Sequence, residues 1–245
     1  MAALIRVVHK ALRQAANPAL APRMQAYMKS TMPYYGVPPP ILRQVCHRLL
    51  PSHQVATRSA WQTDVLSLWR DAKFREERYV AIALSGDRRA SSYQTPAAMA
   101  MYEEMIVSGA WWDYVDELAI HRVGPIFDSH RLVMRRLMLR WSRSEHLWKR
   151  RTSIICQVAL KERLDLDMLY ACIEPSLSSR EFFLRKAIGW ALRQHAWIDP
   201  AEVVRYVKSH EDQLSPLSRR EALINVEGRR RKSPAGSARA KTRKA

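Results

Sequence analysis

The 245-residue chain contains only seven glycines and three cysteines, and each shortage excludes a class of protein. With glycine far below its usual share of about 7%, neither GxxxxGK[ST] nor GxGxxG occurs, which excludes P-loop, kinase and Rossmann nucleotide binding. Cys46, Cys156 and Cys172 lie far apart and form no C-x-x-C pair, so neither a disulfide framework nor a cysteine zinc site is predicted. This cysteine usage is typical of a reducing, intracellular compartment.

Long apolar runs and metal-binding patterns are missing as well. No hydrophobic run approaches the ~20 residues of a membrane span. Arg6, Lys10 and Arg13 interrupt the N-terminal apolar residues, so we expect no signal-peptide core. The eight histidines show no HExxH or other metal-ligand spacing, and we expect neither a metal nor another cofactor. Together these absences predict a cytoplasmic protein without a membrane partner, associated with the nucleoid if it is bacterial.

Positive charge, by contrast, is abundant: 41 Lys and Arg residues oppose 23 Asp and Glu residues, for a net charge of +18. Such an excess favours a polyanionic partner. Residues 1–63 hold eight basic residues and no acid, residues 228–245 do the same, and the rest carries 25 basic against 23 acidic residues. The segment 228–245 has no apolar periodicity and is predicted to be a disordered basic tail. A solubilising end, a nucleic-acid arm and a receptor-read address all remain open for it.

Helical periodicity recurs along residues 1–227, whereas alternating strand patterns bounded by glycine turns are missing. We predict one all-α domain, a HEAT-like helical-repeat solenoid of antiparallel helix pairs whose concave face is the binding surface. Breaks are expected at prolines, including Gly124-Pro125. The predicted helices span 3–16, 22–31, 39–50, 54–72, 74–85, 95–108, 111–122, 128–142, 145–161, 165–174, 179–196, 199–209 and 215–225.

Two charged residues fall on apolar helix faces. Arg151 lies in the middle of the apolar stripe of the predicted helix 145–161, and Asp116 lies among apolar residues one turn after Trp112. An unpaired buried charge costs several kcal/mol, so each needs an opposite charge, and Arg151 is the obvious partner for Asp116. A snorkelling Arg151 or a purely structural pair between repeats stays open. The neighbouring carboxylates are expected to face water: Asp113 and Glu117.

Trp190 and the cations around it form another unusual face. In the predicted helix 179–196 the indole points away from the core stripe and lies beside Lys186 and Arg193. An indole among cations suits stacking on a nucleotide flanked by phosphates. Packing of Trp190 against another repeat is the alternative.

Charge also concentrates between residues 131 and 151, where eight basic side chains accompany one acid. Arg136, Arg140 and Arg143 recur at helical spacing and form a row able to follow a phosphate backbone. Lys149 and Arg150 follow this row. We predict that these residues contact nucleic acid, although a solvated basic face would have the same pattern.

Five short segments belong together in this sequence: WWDYVDELA with Trp112 and Asp116, LWKRRT with Arg151, GWALR with Trp190, and the earlier YM…PYYGVPPPILR and EERYVAIAL. Taken together they resemble the AlkD family of alkylpurine DNA glycosylases, which are HEAT-like repeat proteins that remove cationic N3- and N7-alkylated purines. The resemblance runs from residue 3 to residue 226, and all four key positions match.

The resemblance implies a catalytic role for each of these four residues. Asp116 would stabilise the oxocarbenium-like sugar as the N-glycosidic bond breaks, and would position the attacking water. Trp112 and Trp190 would cup the sugar and backbone of the lesion, while Arg151 would hold Asp116 ionised and contact a phosphate. No Schiff-base lysine is required, which implies a monofunctional enzyme that leaves an abasic site. The family is known for leaving the damaged base stacked, in contrast to most glycosylases.

The expected partner is duplex DNA that contains alkylated purines, bound by a monomeric protein. Tyr27 and the Pro33–Pro40 turn match family segments that contact the duplex near the lesion. The alternative is a noncatalytic helical-repeat module that binds nucleic acid or scaffolds other proteins. Catalysis requires Asp116 to share a cleft with Arg151 and the two indoles, whereas a scaffold needs only basic rows.

Overall fold

The regular structure of the chain is helical. A computed structural model describes residues 2–232, with side chains from 3 to 226, and no β-strand occurs within this range. The all-α prediction is therefore confirmed. The α-helices are α1 Ala2–Gln14, α2 Ala21–Met28, α3 Pro39–Leu49, α4 Arg58–Asp71, α5 Arg75–Ser85, α6 Met99–Gly109, α7 Trp112–Leu118, α8 Gly124–Ser129, α9 Arg131–Ser142, α10 Leu147–Ile155, α11 Leu166–Ile173, α12 Phe182–His195, α13 Pro200–Ser209 and α14 Pro216–Lys232.

Most of the helices pack in two layers around one hydrophobic core. In the first layer α3, α5, α7, α10, α12 and α14 follow one another, each in contact with the next. In the second layer α4 contacts α6 and α9 contacts α11, and these helices pack on α5 or α10 of the first layer. The helices that carry the predicted site, α7, α10 and α12, therefore lie side by side in one layer.

Helix α4 shows how polar atoms are accommodated in this core. Trp61 donates its indole N–H to the carbonyl of Leu84 in α5 at 3.1 Å, and Trp69 donates to the hydroxyl of Ser108 in α6 at 2.8 Å. Burying a large apolar side chain contributes about 1.5–3 kcal/mol. The hydrogen bonds remove the cost of leaving a buried donor without a partner. Helix α4 is thereby fixed between α5 and α6.

The predicted break at Gly124-Pro125 is wrong, because α7 continues through a π-helical turn, Ala119–Val123, into α8. In an α-helix the ring of Pro125 would clash with the carbonyl of His121, and the wider π-turn relieves this contact. A Cβ on Gly124 would lie 2.3 Å from the carbonyl oxygen of Cys156, just after α10. The two residues thus fit the helix to a close neighbour instead of ending it.

The C-terminal helix extends past the predicted domain boundary at residue 227. Helix α14 runs to Lys232, so residues 228–232 are helical where a disordered tail was expected. Arg and Lys are good helix formers, and the next strong helix breaker in the sequence is Pro234. From residue 233 onward the tail prediction lies outside the described residues.

Candidate functional site

The predicted catalytic carboxylate lies on a short helix, α7, which has seven residues. Its residues Tyr114, Val115 and Leu118 are buried, whereas Trp112 and Asp116, one turn apart, are half-buried. The helix continues through the π-turn into α8, and α7 itself contacts α5, α6 and α10. These contacts fix its position in the fold.

Arg151 of α10 contacts Asp116 directly. Its Nε and Nη2 donate to the two carboxylate oxygens at 2.7 Å each, which is a bidentate pair. Its Nη1 donates to the carbonyl of Phe183 in α12 at 2.6 Å. The Arg151 side chain is 6% exposed and that of Asp116 is 16% exposed. One guanidinium thus links α7, α10 and α12, and the carboxylate keeps some access to solvent.

The surroundings of Asp116 act on its pKa in opposite directions. Burial raises the pKa of its carboxyl group, the hydrogen bonds and charge of Arg151 lower it, and the charge of Asp113 raises it again. Burial has the larger effect, so the pKa of Asp116 lies above the usual value for an aspartate. An anion held against a permanent cation at the edge of the core is suited to stabilise positive charge that develops nearby.

The two indoles named with Asp116 are half-buried and pack on the hydrophobic core. Trp112 is the first residue of α7, and Trp190 lies in α12, two turns beyond Phe183. The prediction that Trp190 points away from the core is only partly right. Helix α12 contacts both α10 and α14, so part of the indole is covered.

Three aromatic side chains that sequence reasoning did not assign pack together behind the ion pair. The ring of Phe183 lies 5.5 Å from that of Trp111 and 5.0 Å from that of Trp148, between ring centroids. These residues come from the start of α12, the residue before α7, and α10. The cluster therefore joins the same three helices that Arg151 joins. Its only signal in the sequence is ordinary apolar periodicity.

A second buried acid–base pair lies beside the first, and it corrects the prediction that Asp113 faces water. Nη2 of Arg75 in α5 donates to both carboxylate oxygens of Asp113 at 2.7 Å, and the hydroxyl of Tyr79 donates at 2.5 Å. The Arg75 guanidinium also lies 4.1 Å from the ring centroid of Tyr114. Asp113 is in the first turn of α7, where a carboxylate is common, so only the tertiary structure reveals its partner. Glu117 is 45% exposed, as predicted.

The first turn of α5 also organises the loop before α3. The two carboxylate oxygens of Glu76 accept backbone N–H groups of Tyr35, Gly36 and Val37 at 2.9–3.0 Å. Gly36 has a φ of 81°, a conformation that favours glycine. The loop belongs to the Pro33–Pro40 turn, so α5 connects this turn with the site. Its signal in the sequence is EERY, which lies in one of the segments that carry the family resemblance.

Four of the predicted DNA-binding side chains already have partners in the protein. Glu221 of α14 accepts from Lys186 and from Arg193, at 2.9 Å each. Lys149 pairs with Glu103 at 2.5 Å. The fourth, Arg150, donates to the hydroxyl of Ser176, at 2.9 Å from Nη2. These cations are less available to a phosphate than the sequence indicates, and a DNA contact for them stays a prediction.

The row Arg136, Arg140 and Arg143 is exposed and forms no ion pair with a described residue. It lies on or just after α9, in the second layer, on the side opposite the buried Met134 and Met138. Among the described residues no hydrogen bond or ion pair joins the row to Asp116 or Arg151, and a DNA contact for the row stays a prediction. Tyr27 of α2 is 76% exposed.

Neither a metal cluster nor a membrane span is found in the described part of the chain. Between residues 2 and 232 no three His, Cys, Asp or Glu side chains are grouped to hold a metal ion. No helix in that range is long and apolar enough to cross a membrane.

The protein is all-helical in the described residues, and its candidate site is a partly exposed carboxylate, Asp116, paired with the buried Arg151. Arg151 belongs to α10, which packs between the two helices that carry Trp112 and Trp190. A sequence profile of the family described as "DNA alkylation repair enzyme" matches residues 8–226. The chain therefore belongs to the DNA alkylation repair enzyme family, which supports a role in DNA repair.

A solved structure described as a predicted DNA alkylation repair enzyme from Enterococcus faecalis is similar to this chain, with a TM-score of 0.77 and 28% sequence identity. The similarity covers 85% of this chain and 95% of that one. A comparison with curated proteins finds no match.

Proposed function

We propose that the protein is a monofunctional DNA glycosylase that hydrolyses the N-glycosidic bond of N3- or N7-alkylated purines in duplex DNA and leaves an abasic site. The observation that carries this proposal is the bidentate Asp116–Arg151 pair, whose carboxylate is at the edge of solvent one turn from Trp112. Membership of the DNA alkylation repair family supports the substrate class.

The chemistry of the lesion determines what the protein has to supply. Alkylation at N3 or N7 gives the purine a positive charge and makes it a good leaving group. The main barrier is then the formation of a cationic deoxyribose as the bond to the base breaks. A fixed anion close to the sugar lowers this barrier, because it is oriented before the charge develops. The Asp116 carboxylate has this character, and it also positions or deprotonates the water that attacks the sugar.

The other side chains of the site hold the lesion and the carboxylate. Arg151 fixes the orientation of Asp116 with two hydrogen bonds. Its side chain is only 6% exposed, so a DNA phosphate would reach it at the solvent edge of the ion pair, through an N–H group that bonds neither Asp116 nor Phe183. The faces of Trp112 and Trp190 contact the sugar and backbone, where an electron-rich ring stabilises positive charge. Because the lesion is engaged through its backbone, the damaged base stays stacked. The protein is proposed to act as a monomer and without a cofactor.

The test of this function is a comparison of two carboxylate-to-amide substitutions on α7. We expect Asp116→Asn to slow the release of 7-methylguanine from alkylated duplex DNA by about 100-fold or more, because the amide carries no charge. Affinity for the same DNA should stay near that of wild type. Release is measured as free base under single-turnover conditions, and affinity by fluorescence anisotropy.

Glu117→Gln is the matched control, since Glu117 is the next residue and its side chain is 45% exposed. It should release 7-methylguanine at the wild-type rate. If Asp116→Asn releases the base as fast as Glu117→Gln does, the proposed role of Asp116 is wrong. If neither the wild type nor the variants release it but all bind the duplex, the noncatalytic binding module is the better description.

A further inference from the structure

Helix α7 is held by two buried acid–base pairs, and only one of them includes the candidate catalytic carboxylate. Asp116 pairs with Arg151 of α10, whereas Asp113, three residues earlier, pairs with Arg75 of α5. The two pairs anchor α7 to α5 on one side and to α10 on the other. They also fix the direction of its polar face between α5 and α10.

The Arg75 pair is as enclosed as the Arg151 pair. The side chains of Arg75 and Asp113 are 6% and 12% exposed, against 6% and 16% for Arg151 and Asp116. Burying ions is costly, and well-packed apolar residues often stabilise a fold equally well. A second ion pair at this depth, next to the site, is therefore poorly explained by stability alone.

The charge balance around Asp116 depends on this second pair. Burial raises the pKa of the Asp116 carboxyl group, Arg151 lowers it, and the negative charge of Asp113 raises it. Arg75 compensates the charge of Asp113 by direct contact with both of its oxygens. Without Arg75, the charge of Asp113 would act on Asp116 uncompensated.

We propose that Arg75 and Asp113 are positioning residues of the candidate site, which anchor the first turn of α7 to α5 and leave no net charge beside Asp116. Asp116 thereby remains ionised and aligned with Arg151. The inference rests on the proposed function, in which the ionised carboxylate stabilises a cationic sugar. Neither Arg75 nor Asp113 takes part in the reaction itself.

Other titratable groups face this cluster from the elements packed around it. Burial raises the pKa values of Tyr34, Tyr79 and Tyr114, which remain protonated and uncharged. Burial acts to lower the pKa of the Arg75 guanidinium, but the ring face of Tyr114 and the carboxylate of Asp113, both in contact with it, outweigh burial, and the pKa is raised. The groups are Tyr34 in the loop before α3, Arg75, Arg78 and Tyr79 in α5, Asp113, Tyr114 and Asp116 in α7, and Arg151 in α10.

The decisive experiment measures the ionisation of Asp116 directly, by a ¹³C NMR titration of its carboxyl carbon in the free protein. Asp113→Asn removes a negative charge and should lower the midpoint, whereas Arg75→Gln removes a positive charge and should raise it. Each shift should be about 0.5 pH unit or more. The double variant removes both charges and should titrate close to wild type.

A purely structural role for Arg75 predicts a different pattern. It predicts lower thermal stability with no opposite shifts, and no return of the midpoint in the double variant. That result, or shifts of the same sign in both single variants, overturns the inference. If Arg75→Gln does not fold, Asp113→Asn decides alone, because its amide can still accept from Arg75 and Tyr79, and an unchanged midpoint overturns the inference.

Excision assays separate this inference from the proposed function. The rate of 7-methylguanine release should fall as the pH is lowered. The midpoint of this fall should be lower than wild type in Asp113→Asn and higher in Arg75→Gln. The control is Arg70→Gln, which breaks the ion pair Arg70–Glu104, whose side chains are 59% and 36% exposed. It should change neither the rate nor the midpoint. If the wild type releases no base while the NMR midpoints shift as expected, the proposed function fails and the charge compensation stands.

Discussion

Trp190 is half-buried and packs on the core, and the proposed function also gives its indole a contact with DNA; substitution separates the two roles. We expect Trp190→Ala to lower the single-turnover excision rate by about 10-fold or more, because an aromatic face on a nucleotide contributes about 1–3 kcal/mol. Trp190→Phe, which keeps a ring, should retain part of the rate. If the loss in Trp190→Ala follows the loss of folded protein in thermal melts, the indole is only part of the core.

Individual residues differ in how far the sequence reveals them. Asp116 and Arg151 were found because each interrupts an apolar stripe, and the shared interruption indicated their contact. Asp113 lies in the first turn of α7, where a carboxylate is ordinary, and Arg75 is the first residue of α5. Their pairing depends on two helices that are 38 residues apart in the chain, so no local pattern reports it.

At the scale of helices, Pro125 lies inside a continuous helix, although proline usually ends or kinks one. The periodicity predicted nearly every helix, because each buries one apolar face against a single core. The helix break predicted from Gly124-Pro125 was wrong, because the effect of these residues depends on the π-turn before them and on the neighbouring helix α10. The predicted helix 145–161 also ends earlier, at Ile155, where the chain turns toward α11.

The close approach at Gly124 leads to a stability prediction. Gly124→Ala should lower the free energy of unfolding by about 2 kcal/mol, because the new Cβ would lie 2.3 Å from the backbone oxygen of Cys156, which cannot move alone. Urea denaturation monitored by circular dichroism measures this. At Gly86 the atoms nearest to a new Cβ belong to the end of the Arg122 side chain, which can move more easily than a backbone oxygen, so Gly86→Ala is the control and should cost less. Equal losses would show that the backbone contact is unimportant.

At the scale of the whole molecule, the net charge of +18 overstates the positive charge available to DNA. Internal partners occupy several cations of the first layer, and the clearest case is Glu221, which holds Lys186 and Arg193. Composition does not show which cations have an internal partner, because the cation and the acid of such a pair lie on different helices, as with α12 and α14. The concave face of a solenoid stays a prediction, as does the role of the tail.

Glu221 should therefore link stability to DNA affinity. The hydrogen bond from Lys186 lowers the pKa of Glu221, so its ion pairs stabilise the fold above the unfolded-state pKa of about 4.3 and are lost as pH falls through the lower folded value. We expect Glu221→Gln to lower the free energy of unfolding at pH 7 by about 1 kcal/mol. The difference from wild type should vanish in acid.

The same variant should bind duplex DNA more tightly and with a steeper dependence on salt, because Lys186 and Arg193 become free to contact phosphates. Anisotropy titrations at several salt concentrations measure both quantities. Unchanged affinity together with the expected loss of stability would mean that these two cations do not face the DNA.

The contacts of α7 also limit how far the protein can be shortened. Its two acid–base pairs reach back to Arg75 and forward to Arg151, which in turn holds Phe183 at the start of α12. The site is therefore assembled from segments that are 108 positions apart in sequence, although its two carboxylates are neighbours on one helix. No fragment that lacks α5 or α12 retains the complete arrangement, so a competent unit has to span at least residues 75–195, about half of the chain.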